Sequence, residues 1–195
     1  MIKDLSELKD TMIKLKAIEM FDSGMLDQLE VGTLASLAAI NKYLYEDMND
    51  YAGQFCDVRA NGRAMYPQEK RFAKDTIETL DSLPMETYDE IIIKFRKALS
   101  ESLFYEGNCR SARIWLEQML VKKVGLFPKW ERLTPHGLFN GPLRIDFFMN
   151  TYLTMNRIKY TTVKANEITR EMFIRNLDAS FALDDVEFYE DSKGV

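Results

Sequence analysis

Thr87-Tyr-Asp-Glu90 has the spacing of a capping box, in which the Thr87 hydroxyl accepts from the amide three residues on while Glu90 reaches back. Behind it Tyr88, Ile91, Ile92, Phe95 and Leu99 make one continuous apolar face, which predicts a buried helix from about 88 to 102. A second apolar face, built from Trp115, Leu116, Met119, Leu120 and Val124, begins near Arg110 and stops at Gly125, a residue suited to a left-handed helix terminus. Two buried helices so close in sequence leave only residues 103–109 to turn the chain between them. Whatever that loop carries is held at the centre of the molecule.

The rest of the chain reads as mainly helical, an all-α class. Leu34, Leu37, Ile40 and Leu44 predict a helix over about 31–46, and further amphipathic stretches lie at about 3–20, 68–81, 143–156 and 167–181. Two regions break the pattern. Residues 51–63 contain the pair Asn61-Gly62 between short extended segments, a hairpin signal. Residues 125–142 carry Gly125, Pro128, Pro135, Gly137, Gly141 and Pro142 and read as a long connection. A length of 195 residues with 46% hydrophobic content supports a single domain, 1–195, with a sizeable core. Trp115, Trp130 and the pair Phe147-Phe148 are assigned to that core.

The charge balance excludes some function classes. A net charge of -5 argues against sequence-independent nucleic-acid binding, which needs a basic surface to displace counterions, so no direct nucleic-acid binding is expected. No run of about 18 apolar residues occurs and the first ten residues lack a signal-peptide core, so no membrane association and a cytoplasmic location are expected. Cys56 and Cys109 are too few for a disulfide scaffold and are expected to be free thiols. The single histidine, His136, excludes any site that needs two imidazoles.

The loop itself has the parts of an anion site. A helix N-terminus presents unpartnered amides and a positive dipole end. Gly107 permits positive φ and Asn108 tolerates it, so successive amides can form a nest. Arg110 and Arg113, one turn apart, can fork onto phosphate oxygens. Glu106 offers a hard carboxylate oxygen suited to magnesium beside phosphates. Glu-Gly-Asn-x-Arg alone fits a solvated surface turn equally well, whereas the pattern that includes Phe104 and Arg113 is more specific.

Residues 102–113, Ser-Leu-Phe-Tyr-Glu-Gly-Asn-Cys-Arg-Ser-Ala-Arg, resemble the active-site loop of the Fic family. Members of that family usually transfer AMP from ATP to a protein hydroxyl. The family loop begins His-Pro-Phe and continues with a variable residue, an acid, Gly-Asn-Gly-Arg, two variable residues and Arg. Phe104, Glu106, Gly107, Asn108, Arg110 and Arg113 match, while Ser102, Leu103 and Cys109 stand for the histidine, the proline and the second glycine. The resemblance extends over about 15–125. Asp50-Tyr-Ala-Gly-Gln-Phe is similar to the signature that precedes the family's flap, so 57–67 would be the flap, a hairpin that docks the target polypeptide by strand addition. Near the other end, Ser180 in Leu177-Asp-Ala-Ser-Phe-Ala-Leu-Asp-Asp is similar to the motif of a C-terminal inhibitory helix, within the helices expected over about 143–184. Asp184 there replaces the glutamate that pairs with the second motif arginine.

The resemblance implies a Fic fold with a small β-hairpin flap. It also implies ATP and Mg2+ as ligands held by Gly107, Asn108, Cys109, Arg110, Arg113 and Glu106, and a protein target bearing a Tyr, Ser or Thr hydroxyl. Ser102, at the catalytic position, cannot act as general base because a serine hydroxyl stays protonated where imidazole titrates. The expected function is therefore a protein adenylyltransferase that is impaired or inactive. The alternative is a non-enzymatic, nucleotide-responsive binding module, and a third reading is phosphoryl chemistry that needs no histidine. A homo-oligomer is left open.

Overall fold

The computed structural model describes residues 2–55, 74–101, 103–133 and 155–191, with side chains over the same ranges except 2–4, 6, 74–76 and 183–191. The hairpin pair Asn61-Gly62, the 57–67 segment, Cys56, Ser102, His136 and Phe147-Phe148 lie outside the described residues. In chain order the elements are α1 (Ile2–Asp22), α2 (Met25–Gln28), α3 (Leu34–Tyr45), α4 (Lys74–Asp81), α5 (Tyr88–Ser100) and α6 (Asn108–Val124). They continue with β1 (Leu126–Phe127), a 3-10 turn (Trp130–Arg132), α7 (155–161), β2 (Val163–Lys164) and α8 (Arg170–Asp191). The architecture is mostly helical, with one small antiparallel sheet that pairs Leu126 with Lys164 and Phe127 with Val163.

α6 is the axis of the molecule. Every residue from Ser111 to Val121 is buried, and α3, α5, α8 and β1 pack around it. Trp115, Leu116, Met119 and Leu120 are fully inaccessible, each a side chain whose burial stabilises the fold by about 1.5–3 kcal/mol. A helix surrounded on all sides needs no polar face, so the polar residues it does carry, Ser111, Arg113, Glu117 and Gln118, each require an internal partner. α1 lies against α3 and α8, and α1 and α8 between them reach the α5–α6 loop and the start of α6.

The capping box predicted for α5 is present: Glu90 N–H donates to Thr87 Oγ1 at 3.3 Å and Thr87 N–H donates to Glu90 Oε2 at 2.9 Å. α3 starts later than the periodicity predicts, at Leu34 rather than 31. Gly32 is left-handed at φ 76 and sits where a Cβ would lie 2.1 Å from Met85 Sδ, so the chain turns there and Thr33 caps the helix by accepting from Ser36 N–H. α5 stops at Ser100 and α6 begins at Asn108, so the connecting loop is 101–107 and Asn108 and Cys109 belong to the helix. The stretch expected at 167–181 is longer, running through Asp191. The region read as a long connection from 125 opens with β1 and a 3-10 turn, because Gly125 at φ 64 ends α6 and hands the chain to a strand.

Candidate functional site

Leu103 and Phe104 turn into the core at 1% and 2% exposure, which anchors the loop from below. Phe104 forms an isolated antiparallel bridge with Phe55, and their rings stack at 5.5 Å. Asn108 closes the loop from the helix side: Phe104 N–H donates to its Oδ1 at 2.8 Å and its Nδ2 donates to Phe104 O at 2.7 Å. The amide side chain thus substitutes for a strand partner. This corrects the expectation that Asn108 supplies a left-handed nest residue, since it is the first helical residue of α6 and acts through its side chain. Gly107 alone takes that backbone role, at φ 77, and a Cβ on it would lie 2.1 Å from the Tyr45 ring. No other residue fits both the angle and the space.

The charged residues of the loop are met by α1 and α8. Lys9 of α1 donates to the Glu106 carboxylate. Arg110 pairs with Asp10 of α1 at 2.8 Å and stacks its guanidinium 4.0 Å above the Phe181 ring of α8. Arg113, 1% exposed, donates through Nη1 to Ser180 O at 2.7 Å and Ser180 Oγ at 2.6 Å. Cys109 is a half-buried thiol beside Arg96 of α5, whose guanidinium burial holds below its ordinary value. The structure therefore brings Glu106, Gly107, Asn108, Cys109, Arg110 and Arg113 onto one end of α6 and places Ser180 against them. Asp184 lies in α8 with its side chain outside the described residues.

Two residues of the site escape sequence reasoning. Asn41, 1% exposed in α3, donates through Nδ2 to Glu106 O at 2.8 Å and Ser111 Oγ at 3.1 Å, and its Oδ1 accepts from Gly53 N–H at 2.9 Å. Its signal was a polar residue four positions after Leu37, on the buried face. Glu117, one turn beyond Arg113, is fully buried and accepts on Oε1 from Trp130 Nε1 and Asn176 Nδ2. Burial pushes its carboxyl up to about 7 against the pull of those donors and of Arg113.

No family model matches the chain. Its fold is similar to that of a solved structure, the VirB-translocated effector protein BepC from Bartonella tribocorum with bound AMPPNP. The TM-score is 0.58 at 16% identity, covering 83% of this chain and 88% of the BepC chain. BepC is a Fic-domain protein. This chain has the Fic fold. At that identity the likeness concerns the Fic architecture alone. Among the described residues no helix is long and apolar enough to cross a membrane, and no group of three His, Cys, Asp or Glu is disposed to hold a metal ion.

Proposed function

We propose that this chain binds ATP with magnesium at the N-terminus of α6, and that it is a Fic-type protein adenylyltransferase impaired at proton removal because Ser102 stands where the resemblance places the base. The observation that carries the reading is that Glu106, Arg110 and Arg113 all lie on or beside the N-terminal turns of α6, which starts at a left-handed Gly107. A nucleoside triphosphate, the class of ligand that AMPPNP mimics in the BepC structure, suits that charge arrangement. Arg110 and Arg113 would bind phosphate oxygens, and Glu106 would hold magnesium, with phosphate and water completing the coordination sphere. The metal would supply charge neutralisation between phosphates.

Each of these contacts replaces one made within the chain. Arg113 must exchange Ser180 O and Oγ for phosphate, Arg110 must leave Asp10, and Glu106 must leave Lys9. A nucleotide would therefore loosen α8 at Ser180 and α1 at Lys9 and Asp10, the former being the role expected of an inhibitory helix that includes Ser180 and Asp184. A target hydroxyl docked at 57–67 would meet the α-phosphorus without a residue able to take its proton.

Calorimetric titration with magnesium and ATP tests the reading. Arg113→Ala is expected to weaken binding by about 1.5–3 kcal/mol, the worth of a charge-assisted hydrogen bond. Equal affinity of the wild type and the Arg110→Ala, Arg113→Ala double variant would overturn it.

A further inference from the structure

Asn41 uses its whole side-chain amide on three separate pieces of the molecule. Both Nδ2 hydrogens are donated, one to Glu106 O of the loop and one to Ser111 Oγ of α6, while Oδ1 accepts from Gly53 N–H. Gly53 is itself closely packed against α3: at φ 72, a Cβ there would meet Lys42 Cβ at 2.5 Å and Ala38 O at 2.8 Å. It belongs to the turn that leads into Phe55, which bridges to Phe104. The same short stretch of chain thus grips the loop twice, once through a backbone bridge and once through Asn41.

We propose that Asn41 is the positioning residue of the loop, setting the Glu106–Gly107 peptide in register with the turn at Gly53. The carbonyl and N–H of a trans peptide point in opposite directions. With Glu106 O held toward Asn41, the Gly107 N–H is turned away from α3, toward the side where an anion at the α6 N-terminus would sit. The same hydrogen bond holds the backbone that carries the Glu106 side chain. This inference rests on the nucleotide reading for its functional consequence, though not for its structural one.

Asn41→Asp isolates the idea, since a carboxylate still accepts from Gly53 N–H and can accept from the Ser111 hydroxyl, but has no hydrogen for Glu106 O. Hydrogen exchange of the loop amides in ligand-free protein, and ATP titrations with and without magnesium, are compared for the wild type, Asn41→Asp and the core control Ile92→Ala. The expected result for Asn41→Asp is faster exchange across 104–108 and about tenfold weaker binding in magnesium, with a smaller loss in its absence. Ile92→Ala should destabilise the protein while leaving the ratio of the two affinities unchanged. Loop exchange at the wild-type rate in Asn41→Asp, or the same change in ratio in both variants, would overturn the proposal. If the wild type binds no ATP, the nucleotide reading fails while the exchange measurement still decides the role of Asn41. Should Asn41→Asp not fold, the wild type suffices: rapid exchange of the Asn41 side-chain amide protons would refute the triple anchorage.

Discussion

Replacing Glu117 with Gln should make the protein more stable, and increasingly so as the pH rises from 4.5 to about 7. The carboxyl is fully buried between α6, the 3-10 turn and α8, facing Trp130 Nε1, Asn176 Nδ2 and the guanidinium of Arg113. Burial raises it from an ordinary value of 4.5 to about 7. Below 4.5 the group is protonated in both the folded and the unfolded chain and has no effect on their balance. Between 4.5 and 7 the unfolded chain ionises first, so stability drains from the folded state, and above 7 the loss is complete. The gap corresponds to about 3 kcal/mol. Gln retains the oxygen that accepts from Trp130 and Asn176 but never ionises. The assay is urea unfolding of both proteins at several pH values between 4.5 and 8, taking the difference in stability at each so that other titrating groups cancel. The difference should grow by about 3 kcal/mol in favour of Glu117→Gln. A difference independent of pH would show that Glu117 ionises in the folded protein as it does in the unfolded one, and would refute the reasoning.

Gly107→Ala should cost about 1–3 kcal/mol of stability, because positive φ and the Tyr45 ring both oppose a Cβ; a variant as stable as wild type in urea unfolding would contradict this. Glu106→Ala is expected to lower ATP affinity in magnesium and leave the metal-free value nearly unchanged. Loss without metal would instead make the carboxylate's ion pair with Lys9 its main service. Ser102→His with Leu103→Pro and Cys109→Gly, combined with Ser180→Ala and Asp184→Ala to loosen α8, should raise AMP transfer from labelled ATP by about 10² to 10⁴. A variant that binds ATP and labels no protein would favour the non-enzymatic binding module. Deleting α8 is the wrong release, since Asn176 serves Glu117, Pro128 O and Trp130 N at once.

What the sequence made legible was local. The capping box of α5, the glycine that ends α6 and the glycine that starts it are each decided by a few neighbouring residues and the backbone angles those residues allow. The start of α3 was misplaced because apolar periodicity runs through Gly32, whose conformation is imposed by Met85 from across the core. Asn108 was assigned to the wrong role because its two bonds to Phe104 are a tertiary closure that a tolerance for positive φ does not foretell. The partners of the loop charges were invisible for a simpler reason. Lys9 and Asp10 reach Glu106 and Arg110 across about a hundred residues, and nothing in a helix repeat says which charge will meet which. The β1–β2 pair, two residues on each side, is too short to leave any pattern.

The pairing of α1 with α8 bears on how the protein is made. Asp22 bonds to Arg170 and Lys14 to Asp178, so α1 finds one of its neighbours only in α8, which is synthesised well after it. At about 5–20 residues per second, α1 waits on the order of ten seconds after translation before α8 exists. During that wait its buried-to-be residues Ile13, Ala17 and Met20 have only α2 and α3 to cover them, and Arg113 has no Ser180. The Arg113 side of α6 is consequently uncovered until α8 is made, while Asp10 and Lys9 of α1 can already meet Arg110 and Glu106. Covering of Arg113 therefore waits on α8, and a ligand present before that helix is made would meet an arginine that the completed fold encloses.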